Sequence, residues 1–147
     1  MVKLAEEIPM KGIFVARVYR SGKLVEEIRE SNLILNGARS QMAHLIAGEF
    51  TNRNVNRIAF GTSRTDPDPA DTIITNQFAK PIKGFSFPES GRVQFDWELL
   101  ISENNGMAIL EFGLLTADGT LFARRTRTNP IFKESDISIE GSWTIIF

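Results

Sequence analysis

The stretch Arg92 to Ile101 alternates: Val93, Phe95, Trp97, Leu99 and Ile101 are apolar, while Gln94, Asp96 and Glu98 are polar. A period of two puts the two sets on opposite faces of a β-strand, so this segment is expected to cover a core with one face and meet water with the other. Ile137 to Phe147 repeats the pattern, with Ile137, Ile139, Trp143, Ile145 and Phe147 set against Ser138, Glu140, Ser142 and Thr144. Large aromatic side chains bury about 150–250 Å² each. Phe95, Trp97, Trp143 and Phe147 are therefore expected to fill much of one interior.

Most of the remaining chain reads the same way. Gly12 to Arg20, the turn Ser21-Gly22-Lys23 and Leu24 to Arg29 predict an opening hairpin. Val55 to Phe60 predicts a short strand, and Phe78 to Phe87 a strand with an irregularity at Pro81. Ala108 to Thr116 and Thr120 to Thr126 predict a second hairpin about Ala117-Asp118-Gly119, with Gly119 supplying a positive φ. One segment breaks the rule. Residues 36–48 hold good helix formers and stop at Gly48, and Met42, Leu45 and Ile46 fall at helical spacing, a stripe expected to lie on a sheet. The sum is an all-β, mainly antiparallel chain: a β-sandwich with one short covering helix, or a barrel as the alternative. A single domain over residues 1–147 is expected, with an N-terminal hairpin at 1–31, the helix at 36–48 and the main sheets at 55–147.

Composition narrows the chemistry. The 147 residues contain no cysteine and one histidine, which removes disulfides, thiolate zinc sites, iron–sulfur clusters and thiol nucleophiles. Seventeen basic against eighteen acidic side chains leave a net charge of -1, so no overall field draws nucleic acid or an anionic membrane. Glu6 and Glu7 interrupt any apolar leader, and no run approaches the length of a membrane span, so synthesis in a cytoplasm is expected.

The surviving reactive candidates each have a plainer explanation. His44 lacks a paired nucleophile and carboxylate. Asp96 and Glu98 share a strand face at about 7 Å, a spacing compatible with glycoside hydrolysis, but Arg92 and Gln94 beside them suggest an ordinary solvated face. Glu111 lies among apolar neighbours and is expected to pair with Arg124, Arg125 or Arg127 of the next strand. The Asp66-Pro-Asp68-Pro-Ala-Asp71 run offers carboxylates to a hard cation, yet lacks the calcium-loop pattern and fits turn chemistry. No catalytic residue, metal or cofactor is expected.

Four segments together carry a resemblance: Asn32 to Gly48 (N-L-I-L-N-G-A-R-S-Q-M-A-H-L-I-A-G), Val55 to Phe78 with its I-A-F-G-T and D-T-I-I-T-N runs, Phe112 to Arg124 (F-G-L-L-T-A-D-G-T-L-F-A-R) and Ile137 to Phe147. They resemble small tail proteins of tailed bacteriophages. The resemblance implies a structural virion protein of the tail tip, baseplate or collar, an adaptor for tail fibres or other subunits. It also implies other phage virion proteins as partners, a homo-oligomer, and no role for nucleic acid or membrane. A carbohydrate-binding host-recognition module, with Trp97 or Trp143 as a stacking platform, and a capsid decoration protein are the alternatives. The long loop Gly61 to Asn76, through Asp66, Asp68 and Asp71, is the expected partner contact, followed by Arg124, Arg125 and Arg127.

Overall fold

A computed structural model describes residues 10–147. The expectation that the chain opens without a leader falls on residues outside that range. The described elements run β1 (Lys11–Arg20), β2 (Lys23–Ile34), α1 (Asn36–Ile46), β3 (Val55–Gly61), β4 (Phe78–Pro81), β5 (Gly84–Ser86), β6 (Arg92–Leu99), β7 (Ala108–Thr116), β8 (Leu121–Phe132) and β9 (Ile137–Ile146). The fold is all-β with one short helix, as the alternation predicts.

Every ladder is antiparallel, and the spatial order is β4-β3-β7-β8-β2-β1-β9-β6-β5. The two end strands of that order, β4 and β5, are separated in the chain only by Ile82 and Lys83. Such a link spans at most roughly 11 Å. The sheet must therefore curl until its ends face each other across this dipeptide. Ile82 N donates to Asn56 O at 3.0 Å and Lys83 N donates to Asp96 O at 2.7 Å, tying the link to both halves. The result is a curled half-barrel whose two halves face each other like the layers of a sandwich. The single strand expected over Phe78 to Phe87 is thus two strands at opposite ends of the sheet. Pro81, which has no N–H for a ladder, ends the first of them.

Turn chemistry sets the hairpins. Ser21 and Gly22 both have positive φ, 49° and 79°, as a two-residue connection requires, and Gly119 at 90° serves the β7–β8 turn. The core lies between the two halves. Phe14, Phe60, Trp97, Phe112 and Trp143 are at most 1% exposed. Their rings meet at centroid distances of 4.7 Å (Phe14–Phe112), 4.9 Å (Phe14–Trp143) and 5.7 Å (Phe14–Trp97). Gly141 makes room for this packing: a Cβ there would stand 2.1 Å from Val15 O and 2.5 Å from the Trp97 ring.

Three expectations about apolar residues need correction. Ile101 is 54% exposed because β6 ends at Leu99, where Glu103 accepts the Leu100 N–H at 2.8 Å and turns the chain. Phe147 is 49% exposed, beyond the last β9 residue. The helix is held by its first turn: Leu35 N donates to Phe122 O and Asn36 N to Pro69 O, while a Cβ on Gly37 would come within 2.5 Å of Leu121 O. That close approach buries Ala38 and Gln41 and leaves Met42 and Leu45 half-buried and Ile46 83% exposed.

Candidate interaction surfaces

The Asp and Arg residues expected at a partner contact separate into two places. The first is interior. Glu111 on β7 is fully buried, and Arg124 on β8 is 4% exposed. Arg124 Nε donates to Glu111 Oε2 at 2.8 Å and Arg124 Nη1 donates to Asp71 Oδ2 at 2.9 Å. The other Glu111 oxygen, Oε1, accepts the backbone N–H of Thr75 at 2.7 Å and of Ser63 at 3.2 Å. Gly61 must be a glycine for this, since a Cβ would fall 2.4 Å from that oxygen. One carboxylate thus holds both ends of the loop over 62–77, and Asp71 holds its middle. Asp68 takes the turn role the Pro-Asp run suggests, accepting the Ala70 N–H at 2.8 Å. The Glu111–Arg124 pair thus has its hydrogen-bonding capacity filled within the fold, as a buried ion pair requires, while Asp71 is 26% exposed and Asp68 exposed.

Asp66, Arg125 and Arg127 come together elsewhere, at a cleft of about 480 Å³. The cleft exists because β2 and β8 pair only at Leu33–Arg124 and Ile34–Ala123 and then diverge. Phe14, Ile28 and Phe112 line its apolar part. Arg127 pairs with Glu26 at 3.0 Å and Arg125 pairs with Glu30, so salt bridges lace the two free edges. Arg125 Nη1 also donates to Ser31 O at 3.0 Å, and Arg127 Nη1 is buried without an acceptor. Between the pairs Ile109–Ile131 and Glu111–Thr126, β7 has Leu110 alone while β8 has Arg127, Thr128, Asn129 and Pro130. Charges, a bulge and a proline are the means by which sheet edges are kept from pairing with other chains.

A third region was not legible as a site. At the end of the half-barrel where α1 crosses, a recess of about 650 Å³ opens between the two halves, with Phe95, Phe122 and Ile145 among the residues lining it. Phe122 is 4% exposed, Ile145 0% and Phe95 9%, which makes them its floor. Phe85 and Phe87 stand at the rim, 64% and 72% exposed, with ring centroids 5.7 Å apart in an edge-to-face contact. Phe147 adds a third exposed aromatic, and Met42 and Leu45 form the helical wall. Arg92 and Glu89, paired at 3.5 Å, mark the polar margin. The sequence signal was F-S-F before the turn P-E-S-G. The sequence reads it as part of one strand over Phe78 to Phe87, and only the topology shows that β5 is an end strand.

Beside the recess, Asp118 organises a polar cluster. It accepts hydrogen bonds from Thr116 Oγ1 at 2.6 Å, Gln41 Nε2 at 2.8 Å and Thr120 N at 3.0 Å. These donors, the Thr116 hydroxyl above all, hold its carboxyl well below the ordinary range. Gln41 Oε1 in turn accepts from Arg53 at 3.0 Å. Burial raises the Glu103 carboxyl, but the Lys80 ammonium at 2.5 Å and the Leu100 N–H outweigh it and the net shift is downward. Lys133, 1% exposed, donates to Asn105 Oδ1 at 2.7 Å, Glu134 O at 3.1 Å and Ile101 O at 3.3 Å, and burial lowers its pKa.

The other sequence candidates are each engaged by a different partner. His44 Nδ1, on α1, lies 3.2 Å from Glu49 Oε1 just past the helix end, in an exposed contact. Asp96 accepts from Gln94 at 2.9 Å, and Glu98 pairs with Lys83 at 3.4 Å. Trp97 and Trp143 are buried at 1% and 0% exposure, so neither offers a face to a sugar. Among the described residues no three His, Cys, Asp or Glu side chains converge as metal ligands, and no helix is long and apolar enough to cross a membrane. No known protein family, curated protein or solved structure matches the chain.

Proposed function

We propose that the protein is a structural subunit of a bacteriophage tail, at the tail tip, baseplate or collar, where it joins fibres or other subunits to the particle. The observation that carries this reading is how the resembling segments meet. The D-T-I-I-T-N loop and the F-G-L-L-T-A-D-G-T-L-F-A-R hairpin meet through Asp71, Arg124 and the adjoining Glu111, and the helix entry at Asn36 is bonded to Pro69 of the same loop. The residues that make the pattern recognisable hold a loop in place. That is what a rigid repeated component requires, and it leaves association to the surface.

Immunogold labelling of phage particles produced from the genome that encodes the chain tests the proposal. Label at the tail supports it; label over the head favours the decoration protein, and particles without the chain contradict both. Glycan binding by the isolated protein would favour the recognition module, although that module would need a platform other than Trp97 or Trp143, which are buried.

A further inference from the structure

The recess at the open end of the half-barrel calls for an occupant. Three exposed aromatic side chains around one apolar floor form the kind of patch that marks an interaction site. At about 650 Å³ the recess is within the size range of small-ligand sites, so a small apolar ligand is the competing occupant; the exposed Phe85 and Phe87 rim is what favours a larger partner. Whatever covers the recess must also cover its rim, which calls for a protein surface.

We infer that the occupant is a second copy of this chain, bound about a two-fold axis, with the exposed rings of Phe85, Phe87 and Phe147 of each copy packed against the same rim of the other. Three observations carry the inference. The face presents projecting aromatic rings, and such rings pack well against copies of themselves, as a two-fold contact requires. Its margin holds both signs of charge, Arg92 beside Glu89, so the axis can set each opposite the other, and a net charge of -1 gives little repulsion between copies. The exposed rings set the scale of the contact. At 64%, 72% and 49% exposure, Phe85, Phe87 and Phe147 offer roughly 350 Å² per copy, or about 700 Å² across the pair, a little under half of the roughly 1,600 Å² total of a standard interface. Met42, Leu45 and the charged margin would supply the rest. The aromatic anchors would lie centrally with the charges around them, as in stable interfaces.

The inference deepens the proposed role by naming the surface through which copies associate, but it is read on the purified chain and stands or falls without the virion assignment. The test is sedimentation velocity over a range of concentrations, for the wild type and for Phe85→Ser/Phe87→Ser. Both positions are exposed, so the variant is expected to keep the wild-type circular dichroism spectrum and melting profile. The wild type should reach a dimer and go no further, and the variant should associate at least about 100-fold more weakly, as loss of two anchors at tenfold or more each implies. Phe85→Trp/Phe87→Trp, which keeps the aromatic rim, should still dimerise if the wild type does. A monomeric wild type overturns the inference, including the case where it binds the apolar dye anilinonaphthalene sulfonate at one site per chain, which would mark a small-ligand recess. Dimerisation unchanged in the serine variant, or growth beyond a dimer into open-ended chains, overturns it as well.

Discussion

The β2–β8 cleft and the recess under α1 are both places where the curled sheet opens, and they are finished in opposite ways. At the cleft, Arg125, Arg127, Glu26 and Glu30 pair across the gap and Pro130 and the bulge blunt the edge. At the recess, Phe85, Phe87 and Phe147 are left in water around an apolar floor. Paired charges, a bulge and a proline blunt the first opening against strand addition, and the second keeps the exposed apolar surface on which the dimer inference rests.

The comparison can be pressed hardest at the interior charges. Arg124→Ala leaves the Glu111 carboxylate buried without its cation and is expected to cost about 3–5 kcal/mol in denaturant unfolding. Glu111→Leu/Arg124→Met should recover only part of that, because the Ser63 and Thr75 N–H groups lose their acceptor. A cost below 1 kcal/mol for Arg124→Ala would mean the Glu111–Arg124 pair is ornamental and would reopen Arg124 as a contact residue. Gly141→Ala, which forces a methyl toward Val15 O and the Trp97 ring, should cost about 1–3 kcal/mol without changing association.

A smaller effect is expected at Asp118, and it depends on pH. Its folded pKa lies below its unfolded value, so its stabilisation is complete at neutral pH and is lost as pH falls from about 4 through the folded value. Asp118→Asn should therefore destabilise by about 1–2 kcal/mol at pH 7, and the gap to wild type should shrink as the pH is lowered from 4 toward 2. A gap constant over that range would show that the charge contributes nothing. Smallest of all, Glu26→Ala should change stability by less than about 1 kcal/mol, since its pair with Arg127 is partly exposed. A cost of several kcal/mol in the same unfolding assay would show that the cleft is structural in the way the Glu111–Arg124 pair is.

How far the sequence reaches depends on the range of the forces involved. Alternation made β6 and β9 legible, and Gly119 and Ser21-Gly22 made both hairpins legible, because period and turn chemistry are local. Glu111 could be assigned an arginine partner from its apolar neighbours alone. The choice of Arg124 over Arg125 and Arg127 follows from which strand face turns inward. What could not be read was set by long-range placement. Phe85 and Phe87 alternate like core residues, and Gly37 drives the helix onto Leu121 so that its glutamine is buried and its isoleucine is not. Asp66, Asp68 and Asp71 looked like one surface feature, yet one lines a cleft, one shapes a turn and one is bound to Arg124.

Hydrogen–deuterium exchange on the wild-type chain at low and high protein concentration tests the contrast between the two openings most directly. Protection gained at high concentration is expected on Phe85 to Val93, Met42 to Phe50 and the end of β9, while Glu26 to Glu30 and Arg125 to Asn129 should exchange alike at both. Protection gained across the β2–β8 cleft, with the recess unchanged, would contradict that contrast.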